Sequence, residues 1–291
     1  MQKSIAKITI GMEHEEGIII RMELYSTLEN ILNAPDPRGK IALFRDFYAH
    51  YRRGEMTRDA TTSPIVFAAP SYHGFCTVID PKEVPRRTKL NTPHGQTLLL
   101  HAIAHIEYSA IDLALDAVYR FRDLGAEFES DWLSVADDEI RHFEMIEGLL
   151  RELGSFYGAY PVHDALFEAS QRTLELIERM AVVPRYLEAN GLDATPQILR
   201  KLEPFRQDPM IVKIMDALHV ILDEEIDHVR KGDRWFEEGY RREGKDTELY
   251  FDIIEKYYPQ SFPRKVSVNC DARKEAGFSE GELSRISSNI C

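Results

Sequence analysis

Two copies of the pattern Glu-x-x-His constrain this chain more than any other feature of its sequence. The first copy runs from Glu139 to His142 in DDEIRHFEMI, and the second from Glu225 to His228 in DEEIDHVRKG. Because positions i and i+3 of an α-helix share a face, the two residues of each copy project the same way. Each copy also lies within an apolar stripe of helical spacing, which is the face that a helix turns toward the core. The sequence therefore predicts carboxylates and imidazoles inside a helical core.

Both stripes can be read along the chain. The first consists of Trp132, Val135, Ala136, Glu139, His142, Phe143, Ile146 and Leu149. The second consists of Ile214, Leu218, Ile221, Leu222, Glu225, His228, Val229 and Phe236. A carboxylate buried without a partner costs several kcal/mol or takes up a proton. A cation shared between facing helices removes that cost, so the two stripes predict a metal site.

Such a site needs two further carboxylates. Bundles that bind two iron or manganese ions take a glutamate from each of two helices and Glu-x-x-His from each of two others. Residues at equal depth in an antiparallel helix pair are equidistant from the turn, so their midpoint in sequence marks the turn. The midpoint of Glu107 and Glu139 is Asp123, inside the predicted turn FRDLGA. Glu107 also belongs to an inward stripe of Ile103, Ile106, Glu107, Ala110, Ala114, Ala117 and Phe121.

The fourth glutamate is sought on the third helix, where the same test favours Glu188. Its midpoint with Glu225 falls inside EPFRQDPM, a segment with two prolines, whereas Glu178 places the turn in QILRKLE, which is predicted to be helical. Glu178 stays the alternative ligand. Gly191 and Pro196 predict a break or a bulge just downstream of Glu188.

The predicted fold class is mainly all-α, a four-helix bundle with an N-terminal extension and a C-terminal helical tail. Residues 1–94 form the extension, with a β-hairpin, short helices and a segment that wraps over the bundle. Residues 95–240 form the bundle with its dinuclear metal site, and residues 241–291 pack on it as the tail. The principal helices are predicted near 95–122, 126–153, 165–203 (interrupted) and 209–238.

The composition limits which partners and which cellular compartment are expected for this chain. The net charge is −13, with 49 acidic and 36 basic residues, so nucleic acid is not an expected partner. The chain has no run of about 18 apolar residues and no secretory signal, so no membrane association is expected. Its three widely separated cysteines are typical of a reduced, cytoplasmic protein. A homodimer is compatible with all of these features.

Five segments resemble a known family. They are HAIAHIE, DWLSVADDEIRHFEMI, YGAYPVHDALFEA, RMAVVPRYLEANGLDATP and DEEIDHVRKGDRWF. Over about residues 85–245 they look like a ferritin-like family of unassigned function, distantly related to the diiron hydroxylase that modifies a prenylated adenosine in tRNA. NCDARKEAGFSEGEL near the end also looks familial, whereas residues 1–25 have no counterpart. The resemblance places six residues on the superfamily's ligand positions: Glu107, Glu139, His142, Glu188, Glu225 and His228.

The resemblance implies a dinuclear iron site, with iron–manganese and dimanganese pairs as alternatives. O₂ would be the co-substrate, and the reaction would be hydroxylation or a related oxidation of a small-molecule or peptide-borne substrate. Electrons would come from an external donor such as a reductase or a ferredoxin. The alternatives are a ferroxidase-like iron-binding protein, a tRNA-nucleoside hydroxylase and a non-catalytic helical bundle. Iron storage is disfavoured because about 95 residues precede the bundle, and the acidic charge disfavours tRNA.

Overall fold

The structure is a computed structural model that describes residues 8–10, 20–59, 61–245, 249–264 and 267–287. Most of these residues are helical, as the sequence predicts. The mainly α-helical bundle class is confirmed. The elements of the N-terminal part are β1 (Ile8–Ile10), β2 (Ile20–Glu23), α1 (Leu24–Leu32), α2 (Pro37–Arg52) and β3 (Met56–Thr57).

β1 and β2 pair in antiparallel fashion, with Ile10 opposite Ile20, as expected for the predicted hairpin. The turn of this hairpin lies outside the described residues. β2 also pairs in parallel with β3, and α1 packs on the first helix of the bundle. The N-terminal part thereby covers one side of the bundle.

The bundle helices lie close to their predicted positions. They are α3 (Pro93–Arg120), α4 (Ala126–Glu152), α5 (Ala165–Arg172), α6 (Leu176–Val182), α7 (Ala189–Leu202) and α8 (Pro209–Glu243). α3 lies along α4, and α8 packs against α4, α6 and α7. The predicted interrupted third helix corresponds to α5, α6 and α7 together, with a π-helical turn at Val183–Glu188 between α6 and α7.

Short local signals fix the ends of the long helices. α3 begins after Thr92, whose hydroxyl accepts a hydrogen bond from the Gly95 N–H at 3.2 Å. α8 begins after Asp208, whose carboxylate accepts from the Met210 N–H at 2.9 Å. Each helix has proline at its first position, where no N–H is needed. α8 ends at Gly244, which adopts a left-handed φ of 62°.

The bulge in the third helix lies upstream of its predicted place. It includes Pro184, which lacks an N–H and interrupts the regular hydrogen-bond ladder. The helix runs straight through Pro196 instead. The carbonyl that Pro196 leaves without its helical partner, that of Leu192, accepts a hydrogen bond from Asn269 Nδ2 at 3.3 Å. A distant side chain therefore relieves the interruption that the local sequence predicts.

α8 approaches the third helix closely at two glycines. A Cβ on Gly232 would lie 2.2 Å from Pro184 Cβ, and one on Gly239 would lie 2.8 Å from Ile177 Cγ1. Both positions therefore need a residue without a side chain. The first contact holds the π-helical turn against α8 one turn beyond His228, which matters for the site described below.

The C-terminal helices are α9 (Tyr250–Tyr257), α10 (Cys270–Glu275) and α11 (Glu280–Ile286). α9 is the helix predicted in LYFDIIEKYY and packs on α6, while α10 contacts α7 and α8. α11 starts with a capping box between Ser279 and Glu282.

The structure bears on two expectations from the sequence, the reduced state of the cysteines and the absence of a membrane association. Cys76 is a buried free thiol, whereas Cys270 takes part in a disulfide bond that the sequence analysis does not predict. α3 is long and apolar enough to cross a membrane by length and composition, but most of its apolar stretch is buried, as in the core helix of a soluble protein.

Candidate metal centre

Six ionisable side chains are brought together between α3, α4, the π-helical turn and α8. This Glu/His cluster consists of Glu107, Glu139, His142, Glu188, Glu225 and His228. These are the six residues that the sequence predicts. Glu178, the alternative on the third helix, lies at the surface instead and pairs with Lys256 at 2.6 Å.

Glu139 is the central member of the cluster. Its Oε2 lies 3.5 Å from His142 Nδ1, and its Oε1 lies 3.1 Å from His228 Nδ1. Each histidine also faces a second carboxylate: His142 Nδ1 is 3.3 Å from Glu107 Oε2, and His228 Nδ1 is 3.8 Å from Glu225 Oε1. The ligand atoms of the four residues Glu107, Glu139, His142 and Glu225 all lie within 4.8 Å of one another.

The facing atoms of the cluster have no hydrogen-bonding partner among the residues that the structure describes. They are Glu107 Oε2, both carboxylate oxygens of Glu139, His142 Nδ1, Glu188 Oε2, Glu225 Oε2 and His228 Nδ1. A buried polar atom left unsatisfied costs about 1–3 kcal/mol, and more if it is charged. Folded proteins rarely leave even one, so this concentration requires an additional partner. The residues fit a cation, and the cluster can hold a metal ion.

Burial and the neighbouring charges also shift the pKa values of the side chains in the cluster. Burial raises the pKa of Glu188 and Glu225, and the negative charges of neighbouring carboxylates raise both further. Burial also acts to raise the pKa of Glu139, but the imidazoles of His142 and His228 outweigh it and hold this pKa well below its usual range. Burial alone would lower the pKa of His142, whereas the facing carboxylates raise it to about 11. Protons thus occupy the cluster where cations would otherwise bind, and metal binding would release them.

The outer nitrogen of each histidine is held by a carboxylate from the opposite helix. His142 Nε2 lies 2.6 Å from Glu224 Oε2, and His228 Nε2 lies 3.2 Å from Asp138 Oδ2. Arg141 donates to both carboxylates, at 2.5 Å to Asp138 and 3.0 Å to Glu224. With Nε2–H donated to the carboxylate, each Nδ1 points into the cluster, and its lone pair would become available when a metal ion displaces the Nδ1 proton; carboxylates orient metal-binding histidines in this way.

The sequence offers three aspartates, Asp138, Asp223 and Asp227, as residues that could orient the histidines, with exposed helix charges as the alternative. Of these three, Asp138 alone contacts a histidine. Asp223 is exposed, and Asp227 pairs with Arg230 and Lys231. Glu224 was missed, although a signal exists: it immediately precedes Glu225 just as Asp138 precedes Glu139.

The predicted stripes are buried, with informative exceptions. All eight residues of the first stripe are buried, whereas Glu225 of the second stripe keeps 14% of its side-chain surface exposed. The prediction for Ile106 on α3 is wrong, because this residue is 44% exposed. Ile106 lines a surface cleft instead.

Comparison with known proteins identifies the family to which the chain is similar. Residues 33–284, which include the whole Glu/His cluster, match a family described as protein of unknown function (DUF455). An uncharacterized protein of Haemophilus influenzae (strain ATCC 51907 / DSM 11121 / KW20 / Rd) is 36% identical over 273 residues, which cover 90% of this chain and 92% of that protein. No solved structure matches the chain significantly. The chain therefore belongs to the DUF455 family.

Proposed function

We propose that this protein is a ferritin-like, non-haem diiron oxygenase that uses O₂ to hydroxylate or otherwise oxidise a small-molecule or peptide-borne substrate. The observation that carries the proposal is the Glu/His cluster, whose buried atoms lack partners and face one another. One glutamate from each of two helices and Glu-x-x-His from each of two others form the ligand set of ferritin-like carboxylate bundles. Oxygen and imidazole ligands suit iron, with manganese as the alternative.

Two ions would be held by neighbouring parts of the cluster. Glu107 and His142 would hold one ion, and Glu225 and His228 the other, with Glu188 contributing on the side of α8. Glu139 faces both histidines and would contribute to both ions. A bound ferrous pair would supply the electrons and the open coordination positions for reduction of O₂.

The chain's own residues contribute orientation and exclusion of water. Glu224 and Asp138 fix the two imidazoles, so that each Nδ1 points into the site. Apolar residues around the cluster, such as Ile111, Phe143 and Ile146, are fully buried and keep bulk water away. A low-dielectric site of this kind strengthens the binding of cations to carboxylates.

The test is metal analysis of anaerobically purified protein, followed by rapid mixing of the ferrous protein with O₂ under stopped-flow absorbance. We expect about two irons per chain and a transient visible absorbance band after mixing. Glu139→Gln should lose both, whereas Asp223→Asn, which changes an exposed carboxylate of α8 outside the cluster, should keep both.

Two other results would favour the rival functions. Continued uptake of many irons per chain would indicate iron storage. Absence of bound metal, together with thermal stability that chelators do not change, would indicate a helical bundle without a metal-dependent activity.

A further inference from the structure

A cleft of about 710 Å³ opens between α3, α7, the π-helical turn and the segment before α5. Pockets of roughly 300–1,000 Å³ are the usual size for small organic molecules. Its wall includes Ile106 and Leu187, which immediately precede Glu107 and Glu188 in the chain. The cleft therefore adjoins the helical segments that carry two members of the Glu/His cluster.

Much of the cleft wall is apolar. Leu98 and Ile106 of α3, Ile198 of α7 and Leu166 of α5 all line it. Ile106 keeps 44% of its surface exposed there, so its apolar side chain is accessible to a ligand. The wall therefore suits the apolar body of a small molecule.

The charge of the cleft is opposite to that of the whole protein. Arg86, Arg87 and Lys201 line it, and none of its lining residues is an aspartate or a glutamate. All three cations are exposed, and none forms an ion pair within the described part of the chain. In a protein with a net charge of −13, a cleft with three unpaired cations and no carboxylate favours an anionic ligand.

The three histidines in the wall, His101, His105 and His163, do not change this charge balance. His101 Nε2 accepts hydrogen bonds from the N–H groups of Gly158 and Tyr160, at 3.0 and 3.3 Å. His105 hydrogen-bonds to the Tyr157 hydroxyl and to a backbone carbonyl. Burial lowers the pKa of His101 and His105 to about 4 and also lowers the pKa of His163 below its usual value, so all three are neutral at pH 7. The arginines and the lysine alone set the charge that a ligand meets.

We propose that this cleft binds the organic substrate, and that the substrate is an apolar molecule carrying a carboxylate or a phosphate group. Its apolar body would lie along Ile106 and Leu187, and its anionic group would meet Arg86, Arg87 and Lys201. The role as substrate rests on the oxygenase function proposed above, whereas selective binding of such anions does not.

The first experiment measures binding of four molecules with the same chain: octanoate, octyl phosphate, octanol and octylammonium. Isothermal titration calorimetry is performed on the full-length, metal-loaded protein without O₂. We expect at least one of the anions to bind about tenfold more tightly than octanol, since an opposite charge at close range contributes roughly that factor near a surface. Octylammonium should not bind measurably. The two anions distinguish recognition of a carboxylate from recognition of a phosphate.

The second experiment places the binding in the cleft. The double variant Arg86→Gln/Arg87→Gln and the variant Lys201→Gln should each weaken binding of the preferred anion by about fivefold to tenfold and leave octanol binding unchanged. The matched control, Arg21→Gln/Arg38→Gln, removes two exposed arginines away from the cleft and should bind as the wild type does.

Each outcome decides the proposal. Equal affinity for octanol and the anions, or full anion affinity in Arg86→Gln/Arg87→Gln, would overturn it. Glu139→Gln protein should bind the anion normally. Wild-type protein that binds the anions selectively but holds no metal would refute the metal function alone, and wild-type protein that holds metal but shows no preference for the anions would refute the cleft alone.

Discussion

Asp193 and Glu139 are both almost completely buried carboxylates, but they meet different partners. The Asp193 oxygens accept hydrogen bonds from the Asn269 N–H at 2.8 Å and from Arg273 at 2.7 and 3.1 Å, and Arg264 also donates to them. Arg273 is itself buried, so both charges are neutralised inside the protein. Neither oxygen of Glu139 has a hydrogen-bonding partner among the described residues, and no arginine or lysine faces it.

The difference shows how a buried charge can be assigned to stability or to binding. Burial of a carboxylate is costly at both sites. At Asp193 the chain supplies the compensating cations from its C-terminal part, so the cluster ties the tail to α7. At Glu139 the chain supplies further carboxylates and oriented imidazoles instead, a set of residues that could hold a metal ion. The predictions below test that contrast.

The largest effect is expected for the response of Glu139 variants to metal. A metal present at 1,000 times its Kd stabilises the folded protein by about 4 kcal/mol, which raises the Tm by roughly 8–16 °C for a chain of this size. Glu139→Ala should show no such rise when Mn²⁺ is added in thermal unfolding experiments. Asp223→Asn should show the full rise, and a full rise in Glu139→Ala would remove Glu139 from the ligand set.

Asp193→Asn should have the opposite phenotype. It leaves Arg273 buried without its anion, which costs about 3–5 kcal/mol in the free energy of unfolding. Metal bound per folded chain should stay unchanged. Urea unfolding measures the loss, and Glu144→Gln serves as the control because its ion pair with Arg45 is exposed and contributes less than about 1 kcal/mol. A loss of that small size in Asp193→Asn would show that the Asp193 cluster is not a structural tie.

The carboxylates behind the histidines should give an intermediate effect. Glu224→Gln and Asp138→Asn each replace the charged carboxylate that orients one imidazole with a neutral amide, a weaker acceptor, so metal affinity should fall about 10-fold to 100-fold. The number of metals bound at saturation should not change. Asp227→Asn, which affects only surface ion pairs, is the matched control. Competition with a chelating dye measures the affinity, and unchanged affinity in both variants would exclude an orienting role.

The smallest effect concerns His101, which is buried without a charge. Its pKa is about 4 in the folded protein because of burial, against 6.5 when it is exposed. Between these values the unfolded state binds more protons, so His101 costs stability as the pH falls from 6.5 toward 4. The effect is on the order of 1–2 kcal/mol.

The variant His101→Gln keeps an acceptor for the Gly158 and Tyr160 N–H groups but does not titrate. Urea unfolding at pH 7 and pH 4.5 should show that the free energy of unfolding of the variant increases relative to that of the wild type at the lower pH. An identical pH dependence in the two proteins would mean that His101 is protonated in the folded state.

Much of the fold and the convergence of the cluster follow from local patterns in the sequence. Helical periodicity depends only on residues within one helix, and from it the sequence predicts that Glu139 and His142 lie on a buried face. The equal-depth argument then selected Glu107 and Glu188 from the positions of two turns. Their role as metal ligands stays a prediction, because proximity alone does not identify what binds between them.

The sequence by itself determined where the long helices run and that carboxylates and imidazoles face inward, because helix period and the cost of an unpaired buried charge act locally. Tertiary structure alone decided which side chain meets which across the helices. It assigned Glu224 to His142, left Ile106 exposed, and carried the helix through Pro196 by placing Asn269 on the Leu192 carbonyl. Such choices depend on contacts between residues far apart in the chain, which no local pattern encodes.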